Sequence, residues 1–178
     1  MGDLEARLTQ NASLSWSPKS FGYFTPNSNQ FGRTSVMPEL FRGFAGTILA
    51  HWRQDLTSAG HQLLLYGNGG LAGLATHQMP RDFKIGWTGL AFPNEQMNIT
   101  EIKWQIGDKK YPRLNIEELK SYNKPAIIFE EGLIIDEETD FDFWGYVKEA
   151  DFQRIIPLGF SVYKFVDRVL GTVGAAII

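Results

Sequence analysis

The chain has 178 residues, 43% hydrophobic and 13% aromatic, with 17 Lys and Arg against 20 Asp and Glu and no cysteine. That length and apolar content suit one domain with a real core, and a 21% charged fraction argues against global disorder. A net charge of −3 leaves no basic footprint for nucleic acid, and the lack of cysteine excludes disulfides, thiolate metal sites and a cysteine nucleophile.

The opening Met1-Gly2-Asp3-Leu4-Glu5 is acidic and does not read as a signal peptide. Ala6 stands where a myristoylation pattern wants Ser or Thr. Residues 3–9 read as a short helical turn. From Thr9 to Val36 the chain is rich in Ser, Asn, Gln, Gly and Pro and has only Lys19 and Arg33 as charges, yet it carries Trp16, Phe21, Tyr23, Phe24 and Phe31. A solvated linker does not normally hold five aromatics. Residues 1–36 are therefore read as an extended arm lying on a surface, its own or a neighbour's, with these aromatics as assembly contacts. A long ordered loop with one or two strands is the alternative.

Residues 39–56 are open to two readings. Leu40, Phe41, Phe44, Ala45, Ile48, Leu49, Trp52 and Leu56 share one face at helical spacing, and Pro38 suits a helix start. Gly43 and Gly46 each weaken a helix by about 1 kcal/mol, so two strands near 40–45 and 47–54 compete.

Beyond this point the period is two. Gln62 to Tyr66 is a compact apolar run ending in glycines. Phe83, Ile85 and Trp87 alternate with Lys84, Gly86 and Thr88, and Ile102, Trp104 and Ile106 alternate with Glu101, Lys103 and Gln105; alternation marks a half-buried strand. Gly107-Asp108-Lys109-Lys110 reads as a hairpin turn. Asn115 to Lys120 reads as a short helix, capped by Asn115 with Glu118 reaching back. Strands follow at Ala126–Glu130, Leu133–Ile135, Thr139–Val147, Phe152–Ile156 and Phe160–Val166, separated by turn signals in the manner of a sandwich or barrel. Residues 169–178 form an uncharged apolar tail ending in Ile177 and Ile178. It is too short to span a bilayer and a liability in water, so it packs under the domain, on another subunit or peripherally on lipid.

Candidate chemistry is sparse. Gly67-Asn68-Gly69-Gly70-Leu71-Ala72 fits a loose dinucleotide pattern, which requires a following helix and a parallel strand. Pro80 and the strand at 83–87 argue instead for a glycine-rich turn between strands. His51, His61 and His77 fit no metal motif. His51 and His61, with Glu130 and Glu131, are the best candidates for a hydrolase. Nine acids fall between Glu130 and Asp151. Asp136, Glu138, Asp140 and Asp142 are calcium-type ligands, but Phe141 and Val147 stand where an EF-hand needs Gly and Glu. A solvated acidic loop is the favoured reading, and no metal or cofactor is expected.

Along 139–147, Phe141, Phe143, Gly145 and Val147 share one face while Asp140, Asp142, Trp144 and Tyr146 share the other. Carboxylates beside large aromatics suit a sugar-binding face; the competing and preferred reading is a strand covered on both faces.

Phe143-Trp144-Gly145-Tyr146-Val147 and Gln153-Arg154-Ile155-Ile156-Pro157-Leu158-Gly159-Phe160 read as two strands around a polar turn, then a sharp turn into a last strand. In these residues, the stretch from Asn98 to Arg168 resembles the single jelly-roll capsid subunits of tailless icosahedral viruses. The resemblance implies an eight-stranded two-sheet sandwich, homo-oligomers and no enzymatic activity. With the residue reading, the expectation is one mainly β domain: a jelly-roll-like antiparallel sandwich core over 37–168, one or two short helices and terminal arms. Its partners would be copies of itself and a second structural subunit, within a virion. A carbohydrate- or other ligand-binding module is the alternative, and a hydrolase the third.

Overall fold

The structure, a computed structural model, describes residues 2–16, 31–69, 77–93, 97–122 and 124–164. Phe21, Tyr23, Phe24, Ile177 and Ile178 lie outside them. The elements in chain order are α1 (Gly2–Ser15), β1 (Phe31–Ser35), a 3-10 turn (Pro38–Leu40), β2 (Phe41–Gly43), β3 (Arg53–Leu56), β4 (Gly60–Gly67), β5 (Phe83–Ala91) and β6 (Ile99–Ile106). There follow β7 (Lys109–Lys110), β8 (Leu114–Asn115), α2 (Glu117–Ser121), β9 (Ala126–Ile135), β10 (Phe141–Val147), β11 (Asp151–Arg154) and β12 (Ile156–Lys164). The fold is mainly β, and every pairing among the described strands is antiparallel.

One sheet has the order β1-β12-β5-β9 and the other β2-β4-β10-β6-β7, with β8 also on β6; β3 and β11 form a small separate pair. Four pairs nest in sequence: β1 with β12, β4 with β10, β5 with β9 and β6 with β7. The chain therefore forms one long hairpin folded over, with successive pairs falling on alternate sheets.

The core between the sheets is organised by Trp87 of β5, fully buried. Its ring meets Trp104 at 5.2 Å, Phe129 at 4.9 Å and Phe141 at 5.6 Å, all edge-on. Edge-to-face contacts match the positive ring edge to the negative ring face, adding to the burial term. β5 carries an extra residue at Thr88 against β12, while on its other side residues 129–132 of β9 bulge opposite Thr88, and there Gly89 passes so close to the Ile127 carbonyl that a side chain would collide with it.

Several expectations are corrected. The short turn at 3–9 is a fourteen-residue helix, so residues 9–16 are not an extended arm. Leu4, Leu8, Ala12 and Trp16 recur every fourth residue, which makes one helical stripe. That stripe is buried on Phe160 and Val162 of β12, forming a second small core outside the first sheet. β5 is consequently buried on both faces rather than half-buried, because α1 covers its outer side. The helical alternative over 39–56 gives way to β2, β3 and an isolated bridge between Arg42 and Ile48. Ala126–Glu130 and Leu133–Ile135 are one strand, β9, with an irregular stretch opposite Thr88. Asn115 does cap α2, its Oδ1 accepting the Glu117 N–H at 2.9 Å.

Candidate functional site

Within the acidic stretch, Asp136, Glu137 and Glu138 form a clasp, while Glu130, Glu131, Asp140 and Glu149 are exposed. Asp136 pairs with the Lys84 ammonium and accepts from Asn11 at 3.3 Å. Glu137 accepts the Trp16 indole N–H at 2.7 Å and the Asp82 backbone N–H at 2.8 Å. Glu138 receives both Nε and Nη2 of Arg81, and this hydrogen-bonded carboxylate holds the Arg81 guanidinium above its ordinary range. Of the candidate calcium ligands, Asp136 and Glu138 are thus engaged by Lys84, Asn11 and Arg81, and among the described residues no group of three His, Asp or Glu is placed to hold a metal. Trp16, expected as an inter-subunit contact, is 2% exposed within its own chain. Phe31 is the first residue of β1.

Of the glycine-rich segment, Gly67–Gly69 pack against residues 77–80, and the remainder lies outside the described residues. The Gly69 N–H donates to the Gln78 carbonyl at 2.6 Å, and side chains at Gly67 or Gly69 would strike the backbone of residues 77–80. The antiparallel setting of β5 removes the parallel strand that a dinucleotide site needs. His61 lies on the six-stranded sheet, whereas Glu130 and Glu131 are exposed on β9 of the other sheet. His51 is exposed in the loop before β3.

The preferred reading of β10 as covered on both faces is also corrected. Phe141, Phe143 and Val147 are buried in the core, but Asp142, Trp144 and Tyr146 look outward and are only partly covered. The register sets Asp142 between Tyr66 of β4 and Gln105 of β6, Trp144 between Leu63 and Lys103, and Tyr146 between His61 and Glu101. His77 bonds Asp142 through Nδ1 and packs its ring 4.5 Å from Tyr66. Tyr146 meets the His61 ring at 5.0 Å.

Beside this row lies an open cleft of about 410 Å³. Its walls include Asp142 and Trp144 of β10, Lys103 and Gln105 of β6, and Lys110 and Arg113 flanking the β7–β8 connection. Tyr111 in that connection stacks on Trp104 at 5.4 Å and 25°, and its N–H donates to the Trp104 carbonyl at 3.0 Å. Lys103 sets its ammonium 5.5 Å from the Trp144 ring centre. Of the four residues expected on a ligand face, Asp142 and Trp144 line the cleft. Tyr146 stands further along the same face, and Asp140 is exposed just before β10, where its backbone bridges Gln78. Lys103, Gln105, Tyr111 and Arg113 were not expected there. In the sequence, Lys110 ends the expected hairpin turn, and Lys103 and Gln105 are the polar half of an alternating strand. No single segment signals the cleft.

No family model matches the chain, and no curated protein and no solved structure matches it. No helix among the described residues is long and apolar enough to cross a membrane.

Proposed function

We propose that the chain is a self-assembling structural subunit of the jelly-roll kind, built to contact copies of itself and, in a capsid, a second structural subunit. The observation that carries this reading is the nested strand order. Numbering β1, β4, β5, β6, β7, β9, β10 and β12 as eight strands, the partners are first with eighth, second with seventh, third with sixth and fourth with fifth. A two-sheet wrap of eight antiparallel strands with Greek-key connections is the jelly-roll pattern. The residues behind the capsid resemblance form β10 and the start of β12, the last two strands of that wrap, and β11 between them, which pairs with β3.

Fold alone does not give function, so the surface matters. β9 is a ten-residue strand at the end of its sheet. Ile128 on it is 65% exposed. A long edge strand leaves unpaired backbone groups that another chain can meet, which suits a subunit that closes its edges by association. Light scattering on the full chain should give a discrete multiple of the single-chain mass. Ile128→Lys should shift that mass toward the monomer while the circular dichroism spectrum stays unchanged. A single-chain mass across the accessible concentration range, alone and with any co-purifying subunit, would overturn the reading.

A further inference from the structure

We propose that the cleft over β6 and β10 binds a carboxylate-bearing sugar, with the pyranose ring on Trp144 and its carboxylate at Lys103. The site stands apart from the assembly reading and does not depend on it.

The first argument is charge. The cleft places Lys103, Lys110 and Arg113 against a single carboxylate, Asp142, in a chain whose net charge is −3. Asp142 is already bonded to His77, and Arg113 reaches Glu101 at 3.2 Å. Lys103 and Lys110 form no ion pair with a carboxylate among the described residues. Cations gathered in a concave site concentrate an anionic ligand.

The second argument is shape and polarity. A volume of 410 Å³ falls within the roughly 300–1,000 Å³ usual for small-molecule sites. Trp144 offers a flat apolar surface to the C–H face of a pyranose.

The third argument separates sugars from other flat anions. The Lys103 ammonium lies over the Trp144 ring itself. A ligand that stacks on Trp144 and pairs with Lys103 at once carries its negative charge on the stacked ring. A uronate does so, because the carboxylate is bonded directly to the pyranose. A nucleotide does not, because ribose separates its phosphate from the base.

The test is titration of the protein, in the oligomeric state in which it is isolated, with trigalacturonate, followed by calorimetry and tryptophan fluorescence. The controls are a neutral trisaccharide and uridine monophosphate. Saturable binding of trigalacturonate is expected, with no saturation by either control. Lys103→Gln should weaken it about tenfold, the worth of one charge-assisted hydrogen bond, and Trp144→Leu by a similar factor. Both side chains lie on the outer face, and circular dichroism checks that the fold survives. The proposal is overturned if trigalacturonate fails to bind the unaltered protein, if neither substitution weakens it, or if uridine monophosphate binds as tightly.

Discussion

Lys84, the second residue of β5, is 1% exposed and its ammonium is paired with the Asp136 carboxylate at the edge of the acidic turn. The same ammonium donates to Ser15 Oγ at 3.0 Å and lies 5.4 Å from the Trp16 ring centre. α1 has no basic residue in its last turn, and Lys84 places a cation there from another strand, where it complements the carbonyl end of the helix dipole. One buried charge thus ties the first helix to the acidic turn across more than half the sequence.

The two members of this pair should respond unequally to substitution. Asp136→Ala leaves a buried ammonium with Glu137 at 3.9 Å as its remaining carboxylate and should cost about 3 kcal/mol, the lower end for breaking a buried pair. Lys84→Met keeps the volume and removes the buried charge, and Asp136, 37% exposed, can turn to water. Urea denaturation should therefore show Lys84→Met to be the milder change; equal losses would contradict a buried charge as the cause.

Leu8 is fully buried in the small core beneath α1. Leu8→Ala removes burial and leaves a cavity, at about 3 kcal/mol. The urea midpoint should fall accordingly, and hydrogen exchange should accelerate first along α1 and the outer residues of β12. A loss under about 0.5 kcal/mol, the level of an ordinary surface change, would mean that the helix is not docked.

Gly89 should not tolerate a methyl group. A Cβ there collides with the Ile127 carbonyl across the β5–β9 pairing, and the obstacle is backbone that cannot swing aside. Gly89→Ala should destabilise by about 2 kcal/mol through forced strand separation, read from thermal unfolding. An unchanged melting temperature would show that the bulge at Thr88 relaxes freely.

Phe152 offers the contrast. Its ring is 45% exposed and takes the Arg53 guanidinium at 4.0 Å, an exposed cation–π contact worth about 0.5–1 kcal/mol. Phe152→Ser should cost clearly less than Leu8→Ala in the same denaturation experiment; an equal loss would place the ring in the core.

Much of this architecture is legible in the chain itself. The alternation in 99–106 and 141–147 correctly separates the inward Ile102, Phe141 and Phe143 from the outward Lys103, Asp142 and Trp144, because side chains on a strand must alternate between its two faces. Gly107 makes the β6–β7 turn in the left-handed region at φ 56°, and Asn115 caps α2. These are local requirements, met within a few residues.

Tertiary structure alone decided the rest. Lys84 looks like an outward residue in sequence and is buried because α1 lies over it, and the acidic run looks solvated until Arg81, Lys84 and Trp16 meet it. The cleft joins Lys103 to Trp144, and Lys110 and Arg113 to Asp142, through the β6–β10 register and the loop beside it. Periodicity states which side of a strand is covered or open, but neighbours across a sheet are chosen by pairing between distant segments. Charge complementarity and concave shape arise only when that pairing is made.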